Sequence, residues 1–234
     1  METLYNSIMN RFLFYLVILA MFVLSACKAQ APKEEPAAPP AAAALPVKSL
    51  PKIVAFGDSL TAGYGLEQSV SYPALLQKRL DADGLAYEVV NAGVSGDTSA
   101  GGARRIDWAL DGDVKVVIIE LGANDILRGQ PIDAMKRNLA QIIKRVKERG
   151  AIVLLAGMEA PTNSGNEYRK SVHEAFQSLA REYNVPLIPF FLDGVAGIEP
   201  LNQGDGIHPN EEGTKLVAET VYRSLRPLLE KQGL

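Results

Sequence analysis

The chain has 234 residues and a formal net charge of −3, a near balance that gives nucleic acid no charged surface to hold. Its single cysteine, Cys27, excludes an intrachain disulfide framework and any cysteine-based metal site. Two histidines, His173 and His208, speak against a histidine-rich metal centre and leave any serine–histidine chemistry to one of that pair.

Residues 1–50 differ in composition from the rest. Phe12 to Leu24 is an unbroken apolar run, short for a membrane span and suited to a signal-peptide core. Arg11 precedes it as the positive flank, and Met9 would make a more ordinary start than Met1. The run ends in Leu24-Ser25-Ala26-Cys27, which resembles the lipobox of bacterial lipoproteins, so residues 1–26 read as a lipoprotein signal peptide and Cys27 as the lipidated new N-terminus. Several acyl chains together anchor a protein stably where one does not. Residues 27–50 are rich in Ala and Pro, carry few large apolar residues and read as a stiff spacer. Lys28 follows the cysteine where an inner-membrane retention signal would place Asp. The expected location is therefore the outer membrane, facing the periplasm. The alternative for the whole segment is an uncleaved anchor with an incidental cysteine.

Residues 51–234 suffice for one domain with a full core. Ile53-Val54-Ala55-Phe56 reads as a strand buried on both faces, running into Gly57-Asp58-Ser59-Leu60. A serine just past the end of a central parallel strand stands where open α/β sheets place their chemistry. The competing role for Ser59 is a helix cap. Thr61 to Gly65 reads as flexible, and Tyr72 to Asp83 as an amphipathic helix. A second strand, Tyr87 to Ala92, ends in the glycine-rich turn Gly93-Val94-Ser95-Gly96-Asp97-Thr98, where glycine lets backbone approach a ligand. Asp97 or Thr98 caps a helix reaching about Leu110. Val114 to Leu121 is the most strand-like run and is expected at the sheet centre, leading into Gly122-Ala123-Asn124-Asp125. Asn124 is either a functional amide or a turn or cap residue. A helix follows from Pro131 to Gly150, then a strand from Ala151 to Ala156 and a helix to about Tyr183. His173 lies at the margin of that helix's packed side and reads as a surface or packing residue. Val185 to Phe190 is the fifth expected strand. Phe191 to Gln203 is an unusually apolar loop that either lines a greasy pocket or closes the base of the domain. Asp205 and His208 share the turn Gly204-Asp205-Gly206-Ile207-His208-Pro209, and Pro209 is expected to open a last helix to about Leu229.

Strand–helix alternation with right-handed crossovers brings these turns to one sheet edge. There Ser59 finds a base in His208, and His208 an orienting carboxylate in Asp205. The N–H groups of Ser59 and Gly93 and the Asn124 amide can face an oxyanion. The four blocks in this order resemble the SGNH (GDSL) hydrolase family, whose Ser, Gly, Asn and His correspond to Ser59, Gly93, Asn124 and His208. Val90-Asn91-Ala92, Ser95-Gly96-Asp97-Thr98, Glu120-Leu121-Gly122 and Leu127-Arg128-Gly129 are most similar to the bacterial thioesterase I/lysophospholipase/arylesterase group. The resemblance implies a flavodoxin-like three-layer α/β/α sandwich with five parallel strands in order 2-1-3-4-5. It also implies hydrolysis of acyl esters, lysophospholipids or acyl thioesters without metal or cofactor. Two other functions compete: deacetylation or acetyl transfer on an envelope polysaccharide, and a non-catalytic envelope lipoprotein on a dead hydrolase fold. The apolar loop favours longer acyl groups over acetyl, and the intact set of five residues opposes the dead fold.

Overall fold

The computed structural model describes residues 49–231. The signal segment, the acylated Cys27 and nearly all of the spacer expected from sequence lie outside the described residues.

The five strands are β1 (Lys52–Gly57), β2 (Glu88–Gly93), β3 (Val114–Glu120), β4 (Ile152–Ala156) and β5 (Leu187–Ile188), all parallel, in order β2-β1-β3-β4-β5. β1 and β3 are apolar runs because both faces of the sheet are covered: Ile53 to Phe56 and Val116 to Ile119 are buried. On one face pack α2 (Tyr72–Ala82) and the last helix, α7 (Glu211–Glu230). On the other pack α3 (Ser99–Ala109), α5 (Ile132–Glu148) and α6 (Asn166–Tyr183). Two short helices, α1 (Ser59–Ala62) and α4 (Ala123–Leu127), stand directly on the ends of β1 and β3. Register fixes the site, because Gly57 is level with Gly93 on one side and Glu120 on the other. The turns that follow all three strands therefore open at one edge. That edge includes the β1/β3 junction, where consecutive connections leave for opposite faces of the sheet.

Three elements differ from their sequence expectation. Thr61 and Ala62, the start of the stretch Thr61–Gly65 expected to be flexible, instead complete a helical turn, Ser59–Ala62, capped by the Asp58 side chain on Leu60 N–H and closed by Gly63 at φ 77°. The fifth strand shrinks to Leu187–Ile188 because Pro186 and Pro189 flank it and neither can donate to a ladder. The last helix is opened by Asn210, whose side chain accepts from Glu212 and Gly213 N–H, while Pro209 pairs with Asn202 in an antiparallel bridge. The apolar loop after β5 divides its side chains: Phe191 and Val195 are fully buried in the core, and Leu192 and Ala196 line a cleft.

Candidate active site

Asp58 turns the chain out of β1 and caps α1, which sets Ser59 as the first residue of that helix. The helix sits so close to the end of β2 that a Cβ on Gly93 would lie 2.2 Å from Ala62 N. Only glycine fits there, so Gly93 stands against the turn that carries Ser59.

His208 reaches this turn from the far end of the sequence. Its Nε2 lies 2.9 Å from Ser59 Oγ, and its Nδ1 lies 2.6 Å from Asp205 Oδ2. The second Asp205 oxygen accepts from the N–H groups of Ile207 at 3.0 Å and His208 at 3.1 Å. The His208 hydrogen bond, with those backbone donors behind it, holds the Asp205 carboxyl down at about 2, so it is ionised throughout the working range. Tyr64 covers the imidazole, with ring centroids 4.7 Å apart. Gln203 ties the two loops together, its amide donating to Tyr64 O at 2.7 Å and Pro209 O at 2.9 Å.

Asn124, in the first turn of α4, donates from Nδ2 to Asp58 Oδ2 at 3.0 Å. Arg128 Nη2 donates to Asn124 Oδ1 at 3.3 Å, which fixes the amide with its NH₂ end toward Asp58. The Gly93 N–H donates to Asn91 Oδ1 at 3.0 Å. His173 stays apart from this constellation, bonded through Nδ1 to Glu159 at 3.1 Å and through Nε2 to Gln177 at 2.7 Å.

A cleft of about 550 Å³ opens beside Ser59 and His208. Ile126, Leu127, Met158, Phe190 and Leu192 make much of its wall apolar. Among the described residues no group of three or more His, Cys, Asp or Glu side chains could hold a metal ion.

The profile of the GDSL-like Lipase/Acylhydrolase family matches residues 55–216. The chain belongs to this family. It is 42% identical over 178 residues to Esterase TesA of Pseudomonas aeruginosa, covering 76% of this chain and 89% of that protein. It is 37% identical over 178 residues to Thioesterase 1/protease 1/lysophospholipase L1 of Escherichia coli, covering 76% and 84%. Among solved structures, the psychrotrophic esterase EstA from Pseudoalteromonas sp., inhibited by monoethylphosphonate, superposes with a TM-score of 0.73 at 36% identity, covering 76% of this chain and 98% of that one. The chain is an ester hydrolase of the GDSL-like family, with the five-stranded sheet order that the resemblance implies.

Behind the GDSL serine lies a buried network that sequence reasoning missed. Glu120, fully buried at the end of β3, accepts from Thr61 Oγ1 at 2.6 Å and from Asp58 N–H at 3.3 Å. A Cβ on Gly57 would come within 2.3 Å of its Oε2. Glu120 Oε1 has no partner among the described residues. Burial, then the neighbouring Asp58 charge, push the Glu120 carboxyl well above the usual carboxylate range. Burial likewise pushes Asp58 up to about 6, against the opposing pull of Leu60 N–H and the Asn124 amide. Two carboxyls this close and this dry share a reluctance to ionise together. Arg105 on α3 was missed as well. It donates to Gly57 O and Ala92 O, both at 2.8 Å, and to Asp97 at 2.7 Å, while its guanidinium lies 4.0 Å from the Phe56 ring centroid. It thereby joins the ends of β1 and β2. Its spacing from Gly101 and Gly102 places it on the packed side of the helix, the one sequence signal that marks it. Asp125 does the same for the next pair of turns, accepting from Ser99 N at 2.8 Å and Ser99 Oγ at 2.6 Å.

Proposed function

We propose that this chain is a serine esterase that hydrolyses carboxylic esters and thioesters of acyl chains, with Ser59 as nucleophile, His208 as base and Asp205 as its orienting carboxylate. The observation that carries the reading is the relay from Ser59 Oγ through His208 to Asp205, at 2.9 and 2.6 Å, at the mouth of an apolar cleft.

Ser59 Oγ attacks the acyl carbon as its proton passes to His208 Nε2. Asp205 accepts from Nδ1, holds the ring in the tautomer with a free Nε2, and steadies the imidazolium. The negative oxygen that develops is met by the Ser59 N–H, the Gly93 N–H and the Asn124 amide. Asn124 keeps one N–H on Asp58 and has the other for the oxyanion. The Gly93 N–H is held by Asn91 Oδ1, so on this reading it joins the oxyanion hole by exchanging that contact for the substrate oxygen. The imidazolium then protonates the departing alcohol or thiol, and water repeats the sequence on the acyl-enzyme. Names borne by relatives at 42% and 37% identity, an esterase and a thioesterase/lysophospholipase, support this substrate range. The apolar wall supports acyl groups longer than acetyl, because an acetyl pocket needs little such surface.

The mature chain on this reading begins at an acylated Cys27 and works at the periplasmic side of the outer membrane, with residues 28–50 as its tether. Among the described residues no helix is long and apolar enough to cross a membrane. A p-nitrophenyl ester panel from acetate to palmitate tests the activity. Hydrolysis rising from acetate to longer chains is expected, and hydrolysis confined to acetate, or none, contradicts it. A Cys27→Ser variant without lipid mass, beside a parent carrying it, tests the anchor.

A further inference from the structure

The cleft beside Ser59 is lined by one Lys or Arg side chain among the described residues, Arg169. Nothing in the fold accounts for it. Among the described residues its guanidinium has no hydrogen-bond acceptor and no ion pair within bonding distance, and its Nε is shut off from solvent without a partner. Arg105 shows what this protein does with a structural arginine: its Nε, Nη1 and Nη2 each meet an acceptor. Glu159, the nearby carboxylate on the cleft wall, is engaged by His173 at 3.1 Å. Arg169 also stands in the first turns of α6, at the positive end of an 18-residue helix, where a cation works against the helix dipole. A guanidinium that lines a cleft, lacks acceptors and sits in an unfavourable field is a donor set awaiting an anion.

We propose that Arg169 forms an anion subsite that takes the phosphate of an acyl substrate, so that phosphate-bearing esters are preferred to neutral ones. The proposal rests on the esterase reading above and deepens it. Arg169 and Ser59 line the same cleft, and β4, whose following connection leads to Arg169, lies two strand positions from β1, which puts the two ends of the cleft roughly 10 Å apart along the sheet edge. A phosphate joined to the scissile ester through a glycerol unit can bridge that span once the arginine side chain extends toward it. Guanidinium meets phosphate oxygens through two parallel N–H donors, which lysine cannot reproduce. The phosphate has two sources, the head group of a lysophospholipid or the carrier of an acyl thioester, and the substrates below separate them.

The test uses full-length protein in detergent. Parent, Arg169→Met and Arg169→Lys are compared on palmitoyl lysophosphatidylglycerol, monopalmitoylglycerol and palmitoyl-coenzyme A. Arg169→Met keeps an apolar stem and removes the donors. The ratio of kcat/KM for the lysophospholipid over the monoacylglycerol should fall about tenfold to a hundredfold, carried by KM. Arg169→Lys should recover part of the ratio. Loss on the lysophospholipid alone assigns the head group, and equal loss on the thioester assigns the shared phosphate. An unchanged ratio in Arg169→Met overturns the proposal. A parent that cleaves none of the three contradicts the esterase reading instead. In that case binding decides: the Ser59→Ala protein, with and without Arg169→Met, is titrated with the lysophospholipid, and equal affinities overturn the subsite.

Discussion

Asn124→Ala separates two roles that meet in one side chain. Its amide serves the oxyanion in the proposed mechanism, and it also donates to Asp58 at 3.0 Å. Losing one oxyanion donor costs about 10²–10³ in kcat, about 3–4 kcal/mol of transition-state stabilisation. Because that donation strengthens as charge develops, KM should change far less than kcat. The second role predicts a stability loss as well. Asp58 is fully buried and would keep only the Leu60 N–H as a donor to its carboxylate, so at pH 7 the fold should lose about 1.5–3 kcal/mol, or about 5–8 °C in Tm. That loss should shrink near pH 5. Asp58, with its carboxyl pushed up to about 6, is then largely protonated in the folded state and depends less on the amide. Steady-state kinetics and thermal unfolding at both pH values on the one variant are the assay. A kcat within threefold of the parent refutes the oxyanion role. A Tm loss that is equal at pH 7 and pH 5 refutes the coupling to Asp58.

His208→Ala should abolish hydrolysis, while His173→Ala, which loses only its contacts with Glu159 and Gln177, should retain it; the reverse outcome rules out the relay. Arg105→Met should cost about 3 kcal/mol, about 8 °C in Tm, because two strand-end carbonyls lose their donors, and a Tm within 2 °C of the parent would show that the clamp is dispensable. The buried acids set an unusual pH dependence. Asp58 and Glu120 hold protons more tightly folded than unfolded, so their contribution is present at about pH 4 and is lost as pH rises through about 6 and beyond. Asp205 works in the opposite sense, and its contribution is lost as pH falls from about 4 toward 2. The Tm of Asp58→Asn should therefore vary less with pH between 5 and 7 than that of the parent, and an identical slope contradicts the assignment.

Much of the site was legible because its parts are local. Each of Gly57-Asp58-Ser59-Leu60, Gly93, Asn124 and Asp205-Gly206-Ile207-His208 directly ends a strand or precedes a helix, and apolar runs such as Val116 to Ile119 fixed which strands lie at the centre. The supports behind them were illegible for the opposite reason. Glu120 meets Thr61 across 59 positions, Asn124 meets Asp58 across 66 and Arg105 meets Gly57 across 48, and no local pattern marks which residue pairs with which. Only the register of β1 against β2 and β3 brings them together. The shortened β5 was readable in principle, since Pro186 and Pro189 bracket it. The solitary guanidinium of Arg169 was not, because a residue's lack of partners is a property of the packed cleft.

The central claim is that Ser59 is the nucleophile, and covalent labelling tests it most directly. A fluorophosphonate should label the parent protein once, with the added mass mapped to the peptide carrying Ser59, and Ser59→Ala should fold with an unchanged Tm, take no label and hydrolyse no ester. Label found on another serine, or esterase activity surviving in Ser59→Ala, would contradict the account.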